Sequence, residues 1–93
     1  MPSVVANIKI KADKIEEAKT FLVQLAKETL ESEEGTLVYT VHQRQDDATT
    51  FVFYEKYSDD EAFKLHGKNL ASKGAEFGPL LDGPPEIIML EEV

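Results

Sequence analysis

The chain has 93 residues, of which 18 are acidic and 10 are basic, giving a formal net charge of -8. This charge repels phosphate backbones and anionic lipid surfaces, so nucleic acid and membranes are excluded as expected partners. The chain contains no cysteine, which excludes disulfides, thiolate metal sites and thiol nucleophiles. No apolar run is long enough to span a bilayer, and we expect one domain over residues 1–93 in the cytoplasm.

The first half of the chain predicts a strand, a helix and a hairpin. Residues 3–11 alternate between apolar and polar side chains, which is typical of a half-buried strand. Asp13 and Glu16 have the spacing of a helix start, apolar residues then recur every three or four positions, and Gly35 is expected to end the helix in a left-handed conformation. Residues 36–44 and 49–57 are rich in β-branched and aromatic side chains and predict a hairpin.

The second half predicts another helix and a final strand. Ser58 and Glu61 have the spacing of a capping box at the start of a helix over residues 59–73. A short helical piece is predicted over residues 75–81, and the prolines that follow favour an extended entry into a strand over residues 86–92.

The predicted order is βαββαβ, an α+β ferredoxin-like fold in which two helices cover one face of a four-stranded antiparallel sheet. The last two strands carry apolar residues on both faces, for example Phe53 beside Tyr54 and Ile88 beside Met89. Because two helices cover one face only, we expect a second copy to cover the other, which predicts a homodimer.

Several short motifs resemble the antibiotic biosynthesis monooxygenase (ABM) family of dimeric α/β barrels. They are EGTLVY at 34–39, YEKY at 54–57, EAF at 61–63 followed by His66, and GPP at 83–85. The resemblance implies a small homodimer with a pocket between sheet and helices in each subunit. It also implies chemistry, since several members oxidise quinols or phenols with dioxygen and without metal or flavin, while others degrade haem or isomerise a small signalling metabolite.

The resemblance places two candidate catalytic residues, His66 on the second helix and Asn7 on the first strand. His66 is expected to take a phenolic proton, and Asn7 to hold the substrate oxygen as charge develops there. The alternatives are a core histidine bonded to a backbone carbonyl and an asparagine turned to solvent or to the dimer edge.

Tyr57, Glu55 and Phe63 are candidate substrate-binding residues. The Tyr57 ring is expected either to wall a flat ligand or to pack, and Glu55 either to enter the cavity with a raised pKa or to pair at the sheet margin. His42 has no carboxylate at metal-ligand spacing, so no metal site is predicted. The acidic residues Glu31, Glu33 and Glu34 are interpreted as solvated surface.

The predicted function is a cofactor-independent monooxygenase that oxidises a small quinol or phenolic aromatic with dioxygen. Two alternatives stay open. One is an isomerase of a small signalling metabolite, because Tyr57 stands where the monooxygenases most often have tryptophan and the isomerases have tyrosine. The other is a non-catalytic dimer that binds an aromatic ligand.

Overall fold

The computed structural model describes residues 1–93 and contains one four-stranded antiparallel sheet and three helices. In chain order the elements are β1 (Pro2–Lys9), α1 (Ile15–Ser32), β2 (Thr36–Gln43), β3 (Thr50–Tyr57), α2 (Asp60–Ala71), α3 (Gly74–Phe77), a 3-10 turn (Gly78–Leu80) and β4 (Glu86–Glu91). The strands are in the order β2-β3-β1-β4, so the central pair is β1 and β3. The predicted ferredoxin-like βαββαβ topology is confirmed.

The core lies between the sheet and the helices. Ala6 and Ile8 of β1 lie directly opposite Phe53 and Phe51 of β3, and all four side chains are buried. The buried stripe of α1 packs into the same cluster through Ala18, Leu22 and Leu25. Complete burial of each large apolar side chain stabilises the fold by roughly 1.5–3 kcal/mol.

The face of the sheet opposite the helices, called the open face below, carries an apolar patch. Val5 lies opposite Tyr54 on one side and Ile88 on the other, which makes a continuous patch across three strands. Tyr54, Ile88 and Leu90 are exposed. The prediction of apolar residues on both faces is confirmed, while the homodimer that it suggested stays a prediction.

Both predicted helix starts differ from the structure. The cap of α2 is Asp59, whose Oδ1 accepts a hydrogen bond from the Ala62 amide at 2.8 Å. Ser58 therefore lies one residue before the cap, because the Asp59 carboxylate already accepts the hydrogen bond of the free amide. The α1 helix begins at Ile15 after Lys14 without a side-chain cap, so Asp13 does not cap it.

Gly35 has a different role from the predicted one. The glycine with positive φ is Gly83, at 101°, and Gly35 is not left-handed. A Cβ atom on Gly35 would lie 2.5 Å from the Cβ of Ala62. Glycine is therefore required at this position because the first turn of α2 approaches the start of β2 closely, and this contact sets where α2 lies over the sheet.

Candidate active site

A cavity of about 220 Å³ lies between the sheet and α2. Its floor is apolar and is formed by alternate residues of β1, namely Val4, Ala6 and Ile8. The α2 helix covers the cavity with side chains on one face. Ile87 of β4, which is on the same face of the sheet as Ala6 and is exposed, lies at the edge of the cavity. The residues from α2 are Phe63, His66, Gly67 and Leu70. The predicted position of Phe63 on the cavity wall is thus observed.

His66 is the imidazole on this wall, and its side chain is only 5% exposed. Its Nδ1 lies 3.0 Å from Oε1 of Glu33. An ionised Glu33 only accepts hydrogen bonds, so this contact assigns a proton to Nδ1, and in the neutral ring Nε2 then keeps its lone pair. Nε2 makes no hydrogen bond within the protein. Ser3 Oγ is the one fully buried side-chain polar atom without a partner, so Nε2 keeps some exposure, and the residue that carries it lines the cavity.

Glu33 is a buried part of the site, and its interpretation as solvated surface is wrong. Its Oε1 accepts hydrogen bonds from the Thr36 hydroxyl at 2.8 Å and from His66, and its Oε2 accepts one from the Asn69 amide at 3.2 Å. The sequence contains a signal for this placement. Glu33 follows Thr29 by four positions and so continues the buried stripe of α1.

Tyr39 of β2 is a second site residue to which sequence reasoning gave no role. Its buried ring lies 4.8 Å from the His66 ring and 4.7 Å from the Phe53 ring. Its hydroxyl has no partner within the protein and is not fully buried. Because Tyr39 lines the cavity, this hydroxyl is available to donate a hydrogen bond to a ligand there. Burial, and then the charges of Glu55 and Glu33, raise the pKa of Tyr39 well above its usual value, which keeps the hydroxyl protonated.

Glu55 enters the cavity, as one of its two predicted placements required. It is 5% exposed and lines the wall. Its Oε1 accepts a hydrogen bond from the Tyr57 hydroxyl at 2.6 Å. Burial raises the pKa of Glu55, although the Tyr57 hydrogen bond and the neighbouring His66 oppose the shift. Burial thus favours the protonated form of this carboxyl group, and a shifted group on a cavity wall is a candidate for proton transfer.

Tyr57 lies behind the cavity and does not wall it. Its ring is fully buried, 5.2 Å from the ring of Phe63 and 5.5 Å from that of His66, and it is absent from the lining. Of the two placements expected for Tyr57, the structure has the packed one, with the hydroxyl bonded to Glu55 and not free to bind a ligand as a substrate-binding residue would. Tyr57 supports the side chains that line the cavity.

Asn7 is not brought together with His66. The two residues adjacent to it, Ala6 and Ile8, line the cavity, and strand alternation turns Asn7 to the opposite face of the sheet. There its Nδ2 donates to Oε1 of Glu86 at 2.7 Å. Of the two placements expected for Asn7, the structure has the one in which β1 turns it away from the cavity, so Asn7 does not lie where it could hold a substrate oxygen beside His66.

The second histidine lies far from this arrangement. His42 is on the open face of the sheet, with Nδ1 3.2 Å from the carbonyl oxygen of Val52. No group of three or more histidine and acidic side chains has a geometry that would hold a metal ion. None of the helices has the length and apolar character needed to cross a bilayer.

Comparisons with known proteins agree on one family. The sequence profile described as "Antibiotic biosynthesis monooxygenase" matches residues 1–76. The Bacillus subtilis protein "Putative monooxygenase YcnE" is 31% identical over 88 residues, which are 92% of each chain.

Two solved structures have the same fold along the whole chain. A "putative antibiotic biosynthesis monooxygenase" from Caulobacter crescentus has a TM-score of 0.90 and 30% identity, with 99% of this chain and 89% of that chain covered. PA3566 from Pseudomonas aeruginosa has a TM-score of 0.83 and 26% identity, with coverages of 99% and 93%.

Proposed function

The chain belongs to the antibiotic biosynthesis monooxygenase family, and we propose that it is a cofactor-independent monooxygenase that oxidises a small quinol or phenol with dioxygen. Residues 1–93 act as one domain in this reaction. The arrangement of Glu33 and His66 at the cavity is the observation that carries the proposal. The carboxylate holds the imidazole in the tautomer that leaves Nε2 free to accept a proton, and it stabilises the imidazolium that forms.

The cavity supplies what an oxygenation without a cofactor needs. Nε2 of His66 removes the proton of a substrate hydroxyl, and the phenolate that forms is a far better electron donor to dioxygen than the phenol. The hydroxyl of Tyr39, in the role predicted for Asn7, donates a hydrogen bond to the phenolate oxygen. The apolar walls keep water away from the reacting ring.

The reaction balances without another reductant. An electron passes from the phenolate to dioxygen, and the two radicals combine to form a peroxide on a ring carbon. His66 returns its proton to the peroxide to give a hydroperoxide. The ring carbon then loses its hydrogen as a proton, the electrons of that C–H bond form the new C=O bond as the O–O bond breaks, and the outer oxygen leaves with this proton as water. The substrate gains one oxygen atom and loses two hydrogen atoms, so that SH₂ + O₂ gives SO + H₂O and the ring supplies every electron.

The size of the cavity limits the substrate. A cavity of about 150 Å³ holds one benzene molecule, and the cavity here is about 220 Å³. The difference leaves room for a few substituent atoms on one aromatic ring. A one-ring substrate is therefore favoured over a fused polyketide or a haem.

An isomerase is the second candidate, favoured by a specific observation. His66 and Glu55 line one cavity, and both can take up or release a proton. A pair of this kind can move a proton between two atoms of a substrate without dioxygen. Such an enzyme would turn over at the same rate under argon and in air.

We propose in addition that the open face of the sheet binds a second copy of the chain. Its continuous apolar patch includes Val5, Tyr54 and Ile88, which fits the homodimer predicted from the sequence. Ile88→Lys is expected to shift the chain to a monomer in sedimentation velocity, whereas Leu65→Lys, at an exposed position of α2, leaves the assembly unchanged. A wild-type monomer at micromolar concentration would overturn the dimer.

The oxygenase is tested with an oxygen electrode and a panel of one-ring quinols and phenols. We expect substrate-dependent oxygen uptake at a ratio of one to one, and no turnover under argon. His66→Ala should lower the rate by about 10²- to 10⁴-fold. The matched control is His42→Ala, which removes the imidazole on the other face of the sheet. Equal loss in both variants, or full activity in His66→Ala, would overturn the role of His66.

A further inference from the structure

Glu55 is held in the cavity in a way that packing does not explain. Oε1 is occupied by the Tyr57 hydroxyl at 2.6 Å, and no ion pair reaches the carboxyl group. Oε2 has no partner within the protein and is not fully buried, and Glu55 lines the cavity, so the cavity is where a donor can reach this oxygen. A buried carboxyl group with a free oxygen is costly unless something donates a hydrogen bond to it.

The geometry points to Glu55 as the residue that binds a second hydroxyl group of the substrate while His66 binds the first. This inference rests on the proposed function, because it uses the same cavity and the same base. The substrate class becomes a one-ring aromatic with two hydroxyl groups. The second substituent is a hydrogen-bond donor, and a carboxylate at that position is repelled when Glu55 is ionised.

Tyr57 makes this arrangement rigid. Its ring is fully buried against those of His66 and Phe63, and its hydroxyl fixes one oxygen of Glu55. The free oxygen therefore has one direction in which it can accept a hydrogen bond. The lining contains no lysine or arginine, so no protein cation competes with the substrate for this oxygen.

The cavity volume agrees with a ring that reaches both groups. Beyond the space that benzene occupies in a cavity of about 150 Å³, the 220 Å³ here leaves room for two small substituents. Tyr39 and His66 lie together at one part of the wall, with their rings 4.8 Å apart, and bind the first oxygen. Glu55 then selects the second substituent.

The experiment measures binding under argon, so that no turnover occurs. Isothermal titration calorimetry compares phenol, the three dihydroxybenzenes and 4-hydroxybenzoate. We expect the best dihydroxybenzene to bind the wild-type protein about tenfold more tightly than phenol, a ratio equivalent to about 1.4 kcal/mol. We expect 4-hydroxybenzoate to bind more weakly than phenol.

A pair of variants isolates the free oxygen of Glu55. Tyr57→Phe keeps the carboxyl group, whereas the Tyr57→Phe, Glu55→Met double variant removes both partners of the buried hydrogen bond and leaves neither unsatisfied. The preference for a dihydroxybenzene should survive in the single variant and fall below about twofold in the double variant. Glu55→Gln, which keeps the Tyr57 bond, should bind 4-hydroxybenzoate about tenfold more tightly relative to phenol than the wild type does.

The inference and the proposed function fail separately. A wild type without the preference, a double variant that keeps it, or an unchanged ratio in Glu55→Gln would overturn the role of Glu55 even if oxygen is consumed. Conversely, the full binding pattern without oxygen uptake would leave the role of Glu55 standing and remove the oxygenase.

Discussion

Replacing Glu33 with alanine should cost about 4 kcal/mol of unfolding free energy. The change leaves three donors without an acceptor, namely the Thr36 hydroxyl, the His66 Nδ1–H and the Asn69 amide. Thr36 and His66 are buried, and each buried donor left unsatisfied costs about 1–3 kcal/mol. Two such donors, with a smaller contribution from Asn69, give the expected value. Urea denaturation followed by circular dichroism measures it.

Two variants make the result specific to Glu33. Glu34→Ala removes the neighbouring exposed carboxylate and should change stability by no more than about 0.5 kcal/mol. Glu33→Gln should lower the free energy of unfolding by about 2 kcal/mol. The amide oxygen still accepts hydrogen bonds from Thr36 and His66, but each of these two bonds loses the extra strength of a charged acceptor, about 1 kcal/mol. Equal losses in Glu33→Ala and Glu34→Ala would refute the buried network that orients His66.

Three further predictions concern elements that frame the site. Gly35→Ala should destabilise the protein by about 1–3 kcal/mol, because the new Cβ has no room against the first turn of α2. Gly67→Ala has open space around the new Cβ and should stabilise the protein by up to about 1 kcal/mol. A thermal melt in which the Tm of both variants shifts alike would contradict the steric argument. Asp59→Ala should cost about 1 kcal/mol in urea denaturation, and an equal loss in Ser58→Ala would restore the capping box. The raised pKa of Glu55 means that the folded chain binds this proton more tightly than the unfolded chain, so the contribution is present below about pH 4.3 and is lost as the pH rises through the folded pKa. Relative to Glu55→Gln, the wild type should therefore lose stability above that pH, and a constant difference from pH 4 to 8 would refute the shift.

Patterns with a short period predicted most of the fold. Alternation in β1 and β3 and the apolar stripe of α1 fixed the elements, because these periods report directly which side chains face the core. Helix ends were less predictable. Asp59 and Ser58 both suit a cap, and only the path of the chain decides between them.

The site was predicted in part, for a related reason. His66 and Phe63 lie on the apolar stripe of α2 and were placed correctly on the cavity wall. Asn7 was placed at the cavity by resemblance to a first-strand asparagine, whereas strand alternation, with Ala6 and Ile8 facing the cavity, turns it to the other face of the sheet. Glu33 was missed because its hydrogen-bond donors lie 3 and 33 residues away, on β2 and α2, and the one local signal, its position four residues after the buried Thr29, was outweighed by its place in an acidic run.

Labelled dioxygen shows whether His66 activates a substrate that itself reduces dioxygen. With oxygen-18 gas and the best substrate of the panel, mass spectrometry should find one labelled atom in the product and the other in water. The signal should disappear in His66→Ala and persist in His42→Ala. An unlabelled product that forms equally well under argon would rule out the oxygenase and would leave the isomerase as the function of this cavity.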